Sequence, residues 1–311
     1  MKPISKSYLF FIKLIAVIGL IVYLVFKIIN EPILNSLKSI KIIDYYALAG
    51  CIILLFINWG LEAKKWQLMI NPIQHMPYTL AFQSVLSGLA TGLLTPNRLG
   101  NFIGRLAYLK KEHHNQAIIQ TQIGNLAQFI STILMGIIGL LIAISYQFNV
   151  IHSFWIIIFS ITILIFGLYI YFKPTIIFKF PIQRLISEKT KTSLTEVNDF
   201  TSLFKLKILA LSILRYLIFS CQYYALFFMF NPTHSVKLLS LIMVVFLLTT
   251  IIPSFFFGKL FVRESVAVFV FTWFPLNTTL IILVAFLLWM INLAFPAIVG
   301  ALFLIKQKQD V

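Results

Sequence analysis

"GLATGLLTPNRLGNFIGRLAYLKKE", residues 88–112, begins as a membrane span and then stops being one. Up to Thr95 the chain is apolar or small. Beyond it stand Pro96, Arg98, Gly100, Gly104 and Arg105, still flanked by Phe102, Ile103 and Leu106. Thr95 suits an N-cap, and Pro96 suits the first helical position, where its missing N–H costs nothing. A helix is therefore expected to start near Pro96, inside an apolar segment, with its free N–H groups and positive dipole end facing into a bundle. Asn97 lies in that first turn. Arg98 and Arg105 stand seven apart and share a face, so with the N–H donors they make a site for an anion, each guanidinium fork matching a phosphate. An arginine near the bilayer centre costs about 2.5–3.5 kcal/mol on insertion scales, so it needs a partner or a water-filled cavity. The alternative is that both arginines snorkel to the interface as anchors.

Composition sets the class. Of 311 residues, 60% are hydrophobic and 11% charged, more apolar surface than a soluble core can use, so the chain reads as an integral membrane protein. The net charge of +16 comes from 25 Lys and Arg against 9 Asp and Glu. These basic residues lie mostly between apolar runs, which points to cytoplasmic loops facing anionic lipid and away from nucleic acid. The sequence contains no GxxxxGK[ST], so no nucleotide site is expected, and no HExxH, GxSxG or paired carboxylates. Cys51 and Cys221 each sit in an apolar run and read as buried small hydrophobes. No histidine has metal-ligand spacing. No cofactor, metal or catalytic residue is expected, and the chain does not read as an enzyme.

Six runs are long enough to cross about 30 Å of hydrocarbon: 8–29, 45–63, 117–145, 151–172, 206–229 and 278–305. Two more apolar stretches, 79–95 and 237–252, end at Pro96 and Pro253, and each is followed by a short charged helix, 97–110 and 254–274. With the N-terminus inside, the second span brings Lys64 and Lys65 to the cytoplasm. If 79–110 is a re-entrant hairpin, Lys110 and Lys111 also lie inside, as do the 173–207 loop with its seven Lys and Arg and the C-terminus with Lys306 and Lys308. Charge counting thus favours two hairpins entering from opposite sides, with both termini cytoplasmic, in the inner or sole bacterial membrane.

The hairpins resemble each other. Pro96, Gly100 and Arg105 in the first correspond to Pro253, Gly258 and Arg263 in the second, with the same Gly-to-Arg spacing. Paired Pro/Gly-interrupted segments in two halves point to a transporter site. The expected fold is an all-α polytopic membrane protein of one domain, 1–311. It has a first helix and outer loop (7–44), a first repeat (45–145, hairpin 79–110), a linking helix and cytoplasmic loop (146–205), and an inverted second repeat (206–305, hairpin 237–275).

Other polar residues join the candidates. Ser84, Gly88, Thr91 and Thr95 form a small-residue stripe whose plainer reading is close helix packing. Thr121, Asn125, Gln128 and Thr132 share a face of the next span, to line a cavity or to bond between helices. Arg215 shares a face with Ser212, Gln222 and Tyr223, as a site residue or a snorkelling anchor. Glu264 is placed to pair with Arg263 or Lys259, or to carry a proton. The headgroup candidates are therefore Arg98, Arg105, Thr95, Asn97, Asn125, Gln128, Arg215 and Arg263, with Glu264 and Lys259 as a coupling or ion pair.

Residues 87–112, and above all Pro96, Arg98, Gly100 and Arg105, resemble the flippase-like lysylphosphatidylglycerol synthase transmembrane-region family. The likeness runs over roughly 45–305. The second motif, Pro253 to Glu264, departs from the family's glycine-richer pattern through Phe255, Phe256 and Phe257. The resemblance implies a stand-alone member without a soluble synthase domain, moving an anionic or modified phospholipid headgroup between leaflets. The expected partners are membrane lipids with anionic headgroups, and no nucleic acid or nucleotide; a homodimer or a partner lipid enzyme stays open. The rivals are an enzyme acting on a lipid phosphate and a non-transporting scaffold for a lipid-modifying enzyme. Single cysteines at Asn115 and Asn149, in a background lacking Cys51 and Cys221, are expected to label from opposite sides of the membrane with an impermeant maleimide; same-side labelling removes both hairpins.

Overall fold

The computed structural model describes residues 40–93, 95, 100–146, 153–179, 192, 195, 200–232, 235–252, 258–272 and 276–309. In chain order the helices are α1 (Tyr45–Ile70), α2 (Tyr78–Leu93), α3 (Gly100–Leu106), α4 (His114–Ser145), α5 (Ser153–Phe172), α6 (Ser202–Phe230), α7 (Val236–Ile251), α8 (Gly258–Phe271), α9 (Thr278–Trp289) and α10 (Phe295–Gln309). Short 3-10 helices cover Lys111–His113 and Pro174–Lys179, and a π-helical turn, Met290–Ala294, joins α9 to α10. Among the described residues the fold is entirely helical. Tyr45–Ile70, Lys111–Ser145, Phe154–Phe172 and Thr278–Gln307 are long and apolar enough to cross a membrane. The chain is an integral membrane protein. The expected span 8–29 lies outside the described residues, and that at 206–229 falls within α6, a helix of 29 residues. Helices α2 and α7 have 16 residues each, about 24 Å at 1.5 Å per residue, short of the hydrocarbon thickness.

The chain forms two compact units. One gathers 1–53, 136–151 and 220–292, the other 54–135, 152–219 and 293–311. Their boundaries fall inside α1, α4 and α6, within the π turn, and at 151/152 between α4 and α5.

In the second of these units the α2–α3 hairpin is held by backbone contact, which only glycine permits. A Cβ on Gly100 would overlap the Thr91 carbonyl, one on Gly104 the Ser87 carbonyl, and one on Gly300 of α10 the Leu86 carbonyl. Hydroxyls stitch the same seam. Thr91 Oγ1 donates to the Gly100 carbonyl at 2.6 Å, Ser84 Oγ to that of Arg105 at 3.3 Å, and Ser87 Oγ to that of Gly300 at 3.2 Å. The small-residue stripe is therefore a packing surface, where close approach replaces the hydrophobic drive that lipid cannot supply. Beside it, Met69, Ile123, Ala127, Ile130, Tyr171 and Ile208 make a buried apolar cluster. The Tyr171 hydroxyl donates to the Lys205 carbonyl at 2.7 Å, and Lys205 Nζ to the Phe172 carbonyl at 2.9 Å.

In the other unit α8 packs on α7 and α9. Tyr223 and Phe227 stack at 5.3 Å, with Phe246 and Phe271 against them. Gly136 and Gly139 of α4 let Leu247 and Met243 of α7 approach. Cys51 is buried, whereas Cys221 is exposed on α6, so only one cysteine is the buried hydrophobe expected.

The last apolar run, 278–305, lies within one candidate span, Thr278–Gln307. Inside it Pro296 cannot donate to the carbonyl four residues back, and its ring crowds that turn, so the ladder widens into the π turn just before it. Asn292, buried in that turn, donates from Nδ2 to the Leu288 carbonyl at 3.4 Å. The outer face of α5, with Phe154, Trp155, Phe159, Ile165 and Phe166, is exposed and apolar as a lipid-facing surface must be.

The hairpin seam predicts unequal glycine effects. Gly104→Ala pushes a methyl into backbone and should lower stability by about 1–3 kcal/mol. Gly50→Ala meets nothing within 4 Å and should be near neutral. Thermal unfolding in detergent separates them; equal midpoints would contradict the seam.

Candidate functional site

On α1 the sequence "WGLEAKKW", 59–66, places Trp59, Glu62, Lys65 and Trp66 at i, i+3, i+6 and i+7, one helical face. That face is turned inward. Glu62 is 4% and Lys65 2% exposed, while Lys64, one position off the face, is exposed and bonds Gln67 at 2.9 Å. Lys65 is therefore not the cytoplasmic loop charge expected of it. Its Nζ pairs with Glu62 Oε2 at 2.8 Å.

Two arginines from other helices complete the cluster. Arg105 of α3 reaches Glu62 Oε1 through a terminal nitrogen at 2.9 Å, and Arg215 of α6 reaches Oε2 at 3.2 Å. Each guanidinium also lies over a tryptophan of the same α1 face: Arg105 over Trp66 at 4.9 Å, Arg215 over Trp59 at 5.2 Å. Such stacking suits the weakly hydrated, planar guanidinium. The Trp66 indole N–H donates to Ser84 Oγ at 3.1 Å, and Ser84 in turn donates to the Arg105 carbonyl, so α1 grips both arms of the hairpin.

The two arginines are not equivalent. Arg105 is buried and also donates from Nε to Asn101 Oδ1 at 3.0 Å, one turn back on α3. Arg215 is more open, with a side chain 20% exposed. Besides its ion pair and its stacking on Trp59 it makes a long contact, 3.4 Å, to Gln128 Oε1, and among the described residues its Nε has no hydrogen-bond partner. Gln128 is itself held by donating to the Ser212 carbonyl at 3.3 Å. One carboxylate thus faces three cations, a formal local charge of +2. A paired cation inside a membrane protein is tolerable; two in excess call for a further anion or for water.

The sequence-based candidates separate in the structure. Arg105, Gln128 and Arg215 meet at this cluster. Thr95 serves the hairpin: its hydroxyl accepts the Gly100 N–H at 2.6 Å and donates to the Thr91 carbonyl at 3.2 Å. Asn125 is exposed on α4, while Thr121 and Thr132 bond carbonyls of their own helix, Ala117 and Gln128. Arg263 and Glu264 of α8 form a separate pair at 2.8 Å in the other unit, where Arg263 also donates to the Ala285 carbonyl at 2.9 Å. Gly258 opens α8. Pro96, Asn97, Arg98, Pro253 and the side chain of Lys259 lie outside the described residues. Sequence reasoning missed Glu62 and both tryptophans; the signal was an acid followed at i+3 by Lys and at i+4 by Trp within an apolar run. Among the described residues, no three His, Cys, Asp or Glu side chains come together to hold a metal ion.

The family model for the lysylphosphatidylglycerol synthase TM region matches residues 10–300, and the chain belongs to that membrane family. No curated protein and no solved structure matches it.

The charge balance predicts an order of stability. Glu62→Gln leaves three cations without their acid and should cost about 3–5 kcal/mol. Lys65→Met removes one of the excess charges and should cost clearly less. Thermal unfolding of the two variants checks the order, and the reverse order would mean that Lys65, not Glu62, holds the cluster.

Proposed function

We propose that this member of the family carries an anionic phospholipid headgroup between the leaflets of a membrane, leaving the acyl chains in lipid. The observation that carries the reading is the buried excess of positive charge around Glu62. Arg105 is the lock, held by Glu62, Asn101 and Trp66. Arg215 is the group left to meet a phosphate, more open and with Nε unpartnered. A phosphodiester headgroup offers the negative charge and the acceptor oxygens that this guanidinium lacks.

The wider architecture fits such a carrier. Six spans with two re-entrant hairpins in an inverted repeat would present one polar path alternately to each leaflet. The equal length of α2 and α7, 16 residues each and about 24 Å at 1.5 Å per residue, supports reading them as hairpin arms. In the inner bacterial membrane, with both termini cytoplasmic, the basic loops would face anionic lipid. In this reading the protein is not an enzyme, and its partners are the lipids themselves.

The test is a vesicle assay. Reconstituted protein with a fluorescent anionic phospholipid should expose the inner-leaflet pool to dithionite, and empty vesicles should not. Arg215→Ala should slow this by about tenfold or more while leaving thermal stability nearly unchanged, since a hydrogen bond to a charged group is worth about 1.5–3 kcal/mol. Arg105→Ala should lose both transport and stability. Wild-type rates in a folded Arg215→Ala protein would overturn the role of Arg215. No movement of any lipid, with aminoacylated and polyprenyl-phosphate lipids included, would favour a scaffold.

A further inference from the structure

The unit built from α7, α8 and α9 holds its own buried charges, and they are incompletely satisfied. Glu264 is 5% exposed; Oε1 binds the Arg263 guanidinium, and Oε2 has no partner. Arg263 Nε likewise has none. Tyr223 of α6 is fully buried, packs edge-on against Phe271 of α8 at 6.2 Å, and leaves its hydroxyl unpartnered. Three polar atoms on two packed helices, α6 and α8, are thus left open in apolar surroundings. A purely structural ion pair in a membrane protein would close them, because each unsatisfied polar group there is costly.

Little else in this unit can set the charge state of the pair. On α7 the charged residue is Lys237, which lies over the Tyr146 ring at 5.0 Å. Helix α9 carries no charged residue. The part of α6 in this unit adds Tyr223, Tyr224 and Cys221, the last exposed. On α8 the other charged residue is Lys259, whose side chain lies outside the described residues. Among the described side chains the balance rests on Glu264 and Arg263 facing each other, a charge of zero for the pair.

We propose that Arg263, Glu264 and Tyr223 form a proton-linked site for a phosphodiester anion. In the empty site Glu264 is ionised and occupies the guanidinium. When the carboxylate takes one proton from water it becomes a neutral carboxylic acid, the ion pair ends, and the guanidinium keeps its charge. The site then carries +1, with Arg263 still held at the Ala285 carbonyl but with its Nε and the donor released by Glu264 turned to a phosphate, and the Tyr223 hydroxyl as a further donor. Binding the anion in turn favours the proton on Glu264, by the reciprocity of linked equilibria. Proton and anion thus bind together and leave together. For its purpose this site rests on the carrier reading; for its existence it does not.

The experiment measures binding rather than transport. Purified protein in a neutral detergent is titrated with dimethyl phosphate, which keeps one negative charge across the pH range, and in parallel phosphatidylcholine nanodiscs are doped with phosphatidylglycerol. Proton uptake is followed by an indicator dye in weak buffer. Wild type should bind more tightly as pH falls and take up about one proton per anion, which is the coupling that linkage requires. Glu264→Gln should bind at all pH values with no proton uptake from this site. Arg263→Ala should abolish the coupled binding, and Arg263→Lys should keep the pH dependence at about three- to tenfold lower affinity, because a point charge cannot make the two-pronged contact. Binding in both settings identifies a general phosphodiester site; binding only in nanodiscs identifies a lipid headgroup site. Proton uptake unchanged in Glu264→Gln, or pH-independent binding by wild type and by Arg263→Lys, would overturn the proposal. Coupled binding without lipid movement in the vesicle assay would leave this site standing and remove the carrier reading.

Discussion

A single carboxylate ties together the unit that contains α2, α3 and α10. Glu62 stands on α1 in a part of the chain where an unpaired charge is expensive, and it holds Lys65, Arg105 and Arg215 within 3.2 Å. Without it, α3 and α6 would bring two guanidinium groups against an ammonium in apolar surroundings. With it, three helices have a common point of attachment. The tryptophans on the same face of α1 cover the guanidinium planes, and Trp66 passes its N–H to the hairpin through Ser84.

Around that point the packing has no slack. The hairpin arms meet at backbone contact through Gly88, Gly100 and Gly104, and α10 meets α2 through Gly300. This seam fixes the α2–α3 hairpin that carries Arg105 to the cluster. It also divides labour between the arginines. The one rooted in the glycine seam is fully engaged, and the one on α6 keeps an unpartnered nitrogen. The other unit repeats the theme with different parts: a Pro/Gly break in sequence, a helix carrying Arg263 and Glu264, and polar atoms left open in an aromatic setting.

Much of the fold was legible in the sequence because apolar run length and proline position govern membrane helices. The runs at 45–63, 117–145 and 151–172 correspond to α1, α4 and α5, and the arms that end at Pro96 and Pro253 are α2 and α7. Pro296 was passed over because it lies in an unbroken apolar run, where hydropathy does not register a lost N–H. The site was half legible. Arg105, Gln128 and Arg215 stood out as polar residues in apolar runs, but their common partner did not. Lys64 and Lys65 were counted as one loop signal, although they project from different faces of a helix. Glu62 lies 43 positions from Arg105, a pairing that only the tertiary fold creates. Asn125 shares a helical spacing with Gln128 but is exposed, so spacing alone does not place it at the cluster.

In the proposed function the positive charge in excess around Glu62 receives an anionic lipid headgroup. Native mass spectrometry of the protein released from mild detergent weighs the lipids that remain bound. An anionic phospholipid should be retained on the wild-type protein and lost from a folded variant in which Arg215 is neutral and Glu62 intact. Equal retention of the same lipid by both proteins, or retention of zwitterionic lipid alone, would contradict it.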